Sequence, residues 1–327
     1  MRWMMRTRLP ILLAGVAILV ALVMWAGLRT VERAFAALGL LGITVVILIH
    51  LPLIAGMGAA WWSIGRDVLR ANLLSFTEAR LVRDSVADLL PFSQIGGFAA
   101  GVRLLSLNGV PAQAGALSLI ADLLMEFFSK FLYAAAGIAL LVLLRPGRPL
   151  PSSLLLTLAL LAGLCVIILF LRDLIMRFAP RIARRWALPG GDMHELGSFL
   201  APKRLWLSGV LHTICWAFGG IEAWVMLRLM GVQVTIVEAV AIDSLVMGLR
   251  TFGFWVPAAL GVQEAAYVLV CALFGFSPGI AIALSLVRRA RDIVIGILGL
   301  AIWQGAEITR GRQSSSRVNL GTAREPW

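Results

Sequence analysis

Asp122, Glu126 and Lys130 sit four residues apart inside an otherwise apolar run. That spacing stacks all three along one helix face. A second group, Arg288, Arg289, Arg291 and Asp292, lies in the last long apolar run, where a charge at the centre of a membrane helix costs roughly 3 kcal/mol to insert. Two further groups accompany helix breakers. Arg83, Asp84 and Asp88 precede Pro91 with Gly96 and Gly97, and Arg250 and Glu264 flank Pro257 with Gly261. Ionisable residues in such positions either bind a polar ligand or hold helices together by pairing with one another. The arginine excess around Arg288–Arg291 suits an anionic lipid phosphate, which a guanidinium grips through paired hydrogen bonds.

Signals for covalent chemistry are poor. The chain has no HExxH, Walker or DxD sequence, so zinc and nucleotide chemistry lack their usual residues. Cys165, Cys215 and Cys271 fall singly in apolar runs and read as small buried hydrophobes. His50, His194 and His212 lack metal-ligand spacing. The expectation is no enzyme, no cofactor and no metal.

The elements that must position these charges are membrane spans. Of 327 residues, 60% are apolar and 14% charged, with a mean hydropathy of +0.93. Apolar runs near twenty residues recur along the chain, the length needed to cross a bilayer. The net charge of +12 then belongs to cytoplasmic loops, and nucleic acid is excluded as a partner because no soluble domain carries a basic groove. The pattern predicts an all-α polytopic membrane protein with six full spans, roughly Leu9–Leu28, Leu38–Trp61, Gln113–Leu144, Leu154–Leu171, Leu205–Leu229 and Ile280–Ile308. The first follows Arg2, Arg6 and Arg8 and is longer than a signal core, so it reads as uncleaved. Trp25, Trp61, Trp62, Trp206, Trp224 and Trp303 fall near span ends, as interfacial anchors do.

Two more segments, about Glu78–Asn108 and Val237–Phe274, are apolar but broken near the middle. Each is a re-entrant helical hairpin or a kinked span, and the charge distribution favours the hairpin. With re-entrant segments and the N-terminus inside, 19 of the 29 Lys and Arg fall in inside segments and 5 outside. The other five, Lys130, Arg250, Arg288, Arg289 and Arg291, are intramembrane. That bias predicts an inner-membrane protein with both termini cytoplasmic and Arg172–Arg204 as the main cytoplasmic loop. Residues 1–309 form one membrane domain, and 310–327 a polar, irregular cytoplasmic tail. Repeat 1 (about 9–144) and repeat 2 (about 154–308) each read span, span, broken segment, span, starting on opposite sides. This is an inverted-topology repeat. Pro91 matches Pro257, Gly109 matches Gly275, and Glu126 matches Asp292 at one offset of 166. In such a repeat the Asp122–Lys130 helix is the expected neighbour of the Arg288–Asp292 helix, with Asp122 and Glu126 as its counter-charges.

The run from Arg83 through Leu90-Pro91-Phe92-Ser93-Gln94-Ile95-Gly96-Gly97, followed by Arg103 and Asn108-Gly109-Val110, resembles the flippase-like membrane domain of lysylphosphatidylglycerol synthases. Its form is most similar to a branch of small, free-standing members associated with hopanoid biosynthesis. The later run Pro257-Ala258-Ala259-Leu260-Gly261-Val262-Gln263-Glu264, with Gly275 and Arg288, resembles the family's second signature. The resemblance implies lipid translocation, or hopanoid synthesis or transport, with a hopanoid or phospholipid as ligand and hopanoid-synthesis enzymes or a second copy as partners. Phe98 stands where the family pattern leads one to expect an acid. No aminoacyl-transferase domain follows the spans, so lysyl transfer is not expected. A head-group-modifying enzyme and a non-catalytic scaffold are the alternatives to a translocator.

Overall fold

The computed structural model describes residues 28–90, 93–146, 199–251 and 259–322, with isolated positions 24, 152, 156, 159, 160, 163 and 256. Among them the regular elements are α-helices: α1 (Leu28–Leu69), α2 (Leu73–Leu89), α3 (Ser93–Leu107), α4 (Ala112–Leu144), α5 (Pro202–Leu229), α6 (Ile236–Thr251), α7 (Val262–Leu273) and α8 (Pro278–Thr322). α1 breaks at Gly39, whose φ is +57°. Three stretches, Leu38–Leu69, Ala112–Leu144 and Pro202–Leu229, are long and apolar enough to cross a membrane. They contain the second, third and fifth expected spans. The sixth lies within α8, around Arg288, Arg289, Arg291 and Asp292. The first and fourth expected spans, Pro91, Pro257 and nearly all of the Arg172–Arg204 loop lie outside the described residues. α8 runs on through Arg310 to Thr322.

Leu40, Leu143 and Trp206 are each about three-quarters exposed or more. Apolar side chains turned outward on long helices suit hydrocarbon as their solvent. Inside, the buried side chains form two main clusters. One joins α6 and α7 to the ends of α4 and α5 and the start of α8. The other joins α2 and α3 to the end of α1 and the start of α4.

The α2–α3 pair is an antiparallel hairpin. A Cβ on Gly97 would press on the Arg83 carbonyl and lie 3.1 Å from the Ala87 Cβ, and one on Gly101 would lie 3.1 Å from the Ala79 carbonyl. The backbones therefore touch only because both residues are glycine. α2 begins at Asn72, whose side chain accepts from the Ser75 N–H at 2.9 Å, and ends where Leu90 turns extended. α6 begins with a reciprocal cap. The Glu238 N–H donates to the Thr235 hydroxyl at 3.2 Å, and the Thr235 N–H donates to the Glu238 carboxylate at 3.0 Å. α7 starts at Gly261 (φ +79°), whose N–H donates to Glu264 at 2.8 Å.

α1 and α5 run antiparallel, with His50 facing Glu222 and Met57 facing His212. α2 packs on α8 and on α1, while α6 packs on α4 and on α5. α3 ends in a turn with Gly109 left-handed (φ +93°), where Val110 N–H bonds the Leu105 carbonyl. α7 ends in the same turn, with Gly275 at φ +84° and Phe276 N–H on the Cys271 carbonyl. α4 and α8 follow directly.

Candidate functional site

Helices α1, α2, α4, α5, α6 and α8 surround a cavity of about 1000 Å³, with Phe98 of α3 also on its wall. Its wall carries His50, Arg80, Asp84, Asp88, Glu126, Lys130, Glu222, Asp243, Arg250, Arg288, Arg291 and Asp292, set among apolar side chains such as Met57, Leu123, Phe127 and Met247. These charges form two groups.

In the first, Glu126 of α4 accepts from Arg83 at 2.7 Å, Arg80 at 3.1 Å and Lys130 at 2.9 Å. Arg80 also reaches Asp84, one turn on, at 2.7 Å. Asp122, fully buried, meets His212 Nε2 at 2.9 Å and stands 3.7 Å from Arg83. The Arg83 guanidinium lies 5.0 Å over the Phe98 ring.

In the second, Arg288 donates to Asp243 at 2.6 Å, and the Tyr133 hydroxyl donates to the same carboxylate at 3.0 Å. Arg291 binds both Glu222 and Asp292, and His50 holds the other Glu222 oxygen at 3.0 Å. Asp88 and Arg250, which precede the two breakers, pair at 3.3 Å. Arg289 binds Glu264 at 2.5 Å, outside the cavity wall.

The seven cations Arg80, Arg83, Lys130, Arg250, Arg288, Arg289 and Arg291 thus meet eight carboxylates, Asp84, Asp88, Asp122, Glu126, Glu222, Asp243, Glu264 and Asp292. Several polar atoms keep unused hydrogen-bonding capacity. Arg83 Nε and Nη1, Arg288 Nε and Asp122 Oδ2 are buried without a hydrogen-bond partner, a state that normally calls for a polar guest or water.

The expected pairing of Asp122 and Glu126 with the Arg288–Asp292 helix is corrected. α8 packs on α1 and α2, and α4 on α5 and α6, so Asp122 and Glu126 find Arg80, Arg83, Lys130 and His212, while Arg288 and Arg291 find Asp243 and Glu222. Arg80 and Arg83, counted as loop charges from the sequence, are buried. Of the other expected site residues, Arg103 lies away from the cavity, exposed and bonded to Glu307 at 2.8 Å. Gly97 forms the hairpin contact, Gly96 precedes it in α3, and Gly261 and Glu264 set the start of α7. His50, Arg80, His212, Glu222 and Asp243 were missed as site residues. Their signal was an ionisable side chain in an apolar run, present for His50, His212, Glu222 and Asp243, but without a neighbouring charge to draw attention to it.

An all-helical chain with membrane-length apolar helices and a charged internal cavity is a polytopic membrane protein. It belongs to the family described as the lysylphosphatidylglycerol synthase TM region, whose model matches residues 12–299. No curated protein and no solved structure matches the chain.

Proposed function

We propose that this protein is a flippase-like translocator of the inner membrane, moving the polar head of a phospholipid or hopanoid through the central cavity. The observation that carries this reading is a cavity of about 1000 Å³ whose wall combines ionic and apolar side chains. A lipid head needs polar partners while it crosses hydrocarbon, and side chains buried in a span supply them only at an insertion penalty. Family membership supports a lipid ligand. The reading is non-catalytic, because among the described residues the carboxylates on the cavity wall are engaged by cations or by Tyr133 and His50, with no free base there beside a nucleophile.

The same reading takes α2–α3 and α6–α7 as re-entrant hairpins in two inverted repeats. Three observations support it. The turns at Gly109 and Gly275 have matching hydrogen bonds at an offset of 166. The packing of α2 on α8 mirrors that of α6 on α4. The corresponding helices α1 and α5 run antiparallel, as inverted halves require. Transport then exchanges an internal carboxylate for a lipid phosphate at an arginine, with no bond made or broken.

The test is reconstitution in phosphatidylcholine vesicles containing a trace of fluorescent phosphatidylglycerol, with an impermeant quencher outside. Protein-containing vesicles should lose nearly all fluorescence and empty vesicles about half. Equal quenching in both would end the translocator reading. A deletion strain lacking one modified lipid species, with normal distribution of the others, would favour a head-group enzyme instead.

A further inference from the structure

We infer that the His50–Glu222 pair is a proton-binding site of the cavity, and that a proton there and a phosphate-bearing lipid head bind together. The inference rests on the lipid-binding reading above and gives it a coupling ion.

The first argument is charge. Leaving aside Asp84, whose side chain is 39% exposed, the network sets seven carboxylates against seven cations. With both histidines neutral it has no spare cation. A phosphate therefore adds an uncompensated negative charge, which is unfavourable away from water. A proton taken up in the same site removes that penalty, so the two ligands favour each other, and linkage makes the effect reciprocal.

The second argument is geometry. His50 Nδ1 faces Glu222 at 3.0 Å. An ionised carboxylate only accepts, so Nδ1 is the donor and Nε2 of the neutral ring is left to take a proton. His50 lines the cavity, which gives that proton a route. His212 does not share it. Fully buried, it is held between Asp122 (2.9 Å) and Met57 Sδ (3.1 Å) and is absent from the wall.

The third argument is the partner exchange that protonation permits. From α5, His50 meets Glu222; beyond Glu222, α8 brings Arg288, Arg291 and Asp292. Asp84 and Asp88 of α2, Glu126 and Lys130 of α4, and Asp243 and Arg250 of α6 complete the charged wall. Of these, Arg291 is the cation that Glu222 holds directly. Once His50 is an imidazolium, Glu222 has its own counter-charge. Arg291 can then leave it, stay on Asp292 through Nε (3.0 Å) and Nη2 (2.6 Å), and offer Nη1 to a phosphate oxygen. The proton comes from water and no covalent bond other than N–H changes.

The test uses the full-length protein in neutral detergent, with dioctanoyl phosphatidylglycerol as the probe and inorganic phosphate in a parallel titration. Calorimetry in two buffers of different ionisation enthalpy reads the protons bound per lipid. Affinity should rise as pH falls, by at most about tenfold per unit for one proton. His50→Gln keeps a hydrogen bond to Glu222 without the charge, and should bind weakly with no pH dependence. Glu222→Gln frees Arg291 permanently, and should bind tightly with no pH dependence. Lipid binding that is flat in pH overturns the proton site and leaves the lipid site standing, as does pH dependence surviving in a folded His50→Gln protein. Binding of inorganic phosphate but not of lipid, or of neither, overturns the lipid reading itself. If His50→Gln does not fold, the wild-type proton count decides.

Discussion

Arg288 and Asp243 show what a buried charge requires. Both are almost fully buried and bonded at 2.6 Å. Removing one leaves the other unpaired, a loss of about 3–5 kcal/mol, whereas replacing both with apolar groups is often neutral. Arg288→Met should therefore lower unfolding stability by about that amount, and adding Asp243→Leu should restore most of it, measured by chemical denaturation in detergent. The double variant should still transport lipid poorly, because the cavity wall has lost one of its cations. Full transport by the double variant would reduce the pair to a clamp between α6 and α8. The same pair marks the limit of sequence reading. Arg288, Arg291, Asp122 and Glu126 were legible as costly charges in apolar runs. Their partners were not, because Asp243 and Glu222 lie 45 and 69 residues from the arginines they bind, and only the packing of helices decides such contacts.

Between elements, close approach decides stability. A Cβ on Gly97 would collide with the backbone carbonyl of Arg83, a group that cannot swing away. Gly97→Ala should force the α2–α3 hairpin apart and destabilise by about 1–3 kcal/mol, the usual cost of overpacking. Gly305 in α8 has nothing within 4 Å of the corresponding point, so Gly305→Ala should be neutral or gain up to about 1 kcal/mol from helix propensity. Thermal unfolding of the two variants side by side checks both, and equal behaviour would mean that α2 and α3 tolerate separation. The three apolar helices were legible from run length alone, since a bilayer fixes about twenty residues. The pairing of Gly97 with α2 was not. A glycine pair reads equally as a breaker or as a contact, and here Gly97 lies inside α3 and serves the contact.

At the scale of the whole molecule the two halves must move against each other if a lipid head is to face first one side and then the other. The basic bias predicts that a cysteine placed at Ser152 labels from outside and one at Ser198 from inside, in intact cells with an impermeant reagent. Labelling of both from one side would remove the inverted arrangement. Within that frame, the Asp88–Arg250 bridge on the cavity wall is more open to parting than the deep ones. It joins α2 just before one breaker to α6 just before the other, at 3.3 Å, and its side chains are 28% and 22% exposed. The bridges of Arg288 to Asp243 and Arg291 to Glu222 are 5% exposed or less on both sides. A partly wet ion pair is worth about 1 kcal/mol or less, because water competes for both ends. Opening at the breakers is thus less unfavourable than opening deeper in the network. Reversing Asp88 alone to Arg sets two cations together and should hold the halves apart, slowing vesicle transport several-fold while the protein stays folded. Reversing Arg250 alone to Asp should do the same. Combining Asp88→Arg with Arg250→Asp restores the attraction and should recover transport. Recovery shows that the contact, and not either side chain's own chemistry, matters at this point. Failure of the double variant to recover, with both singles folded, would assign Asp88 or Arg250 to the lipid head itself.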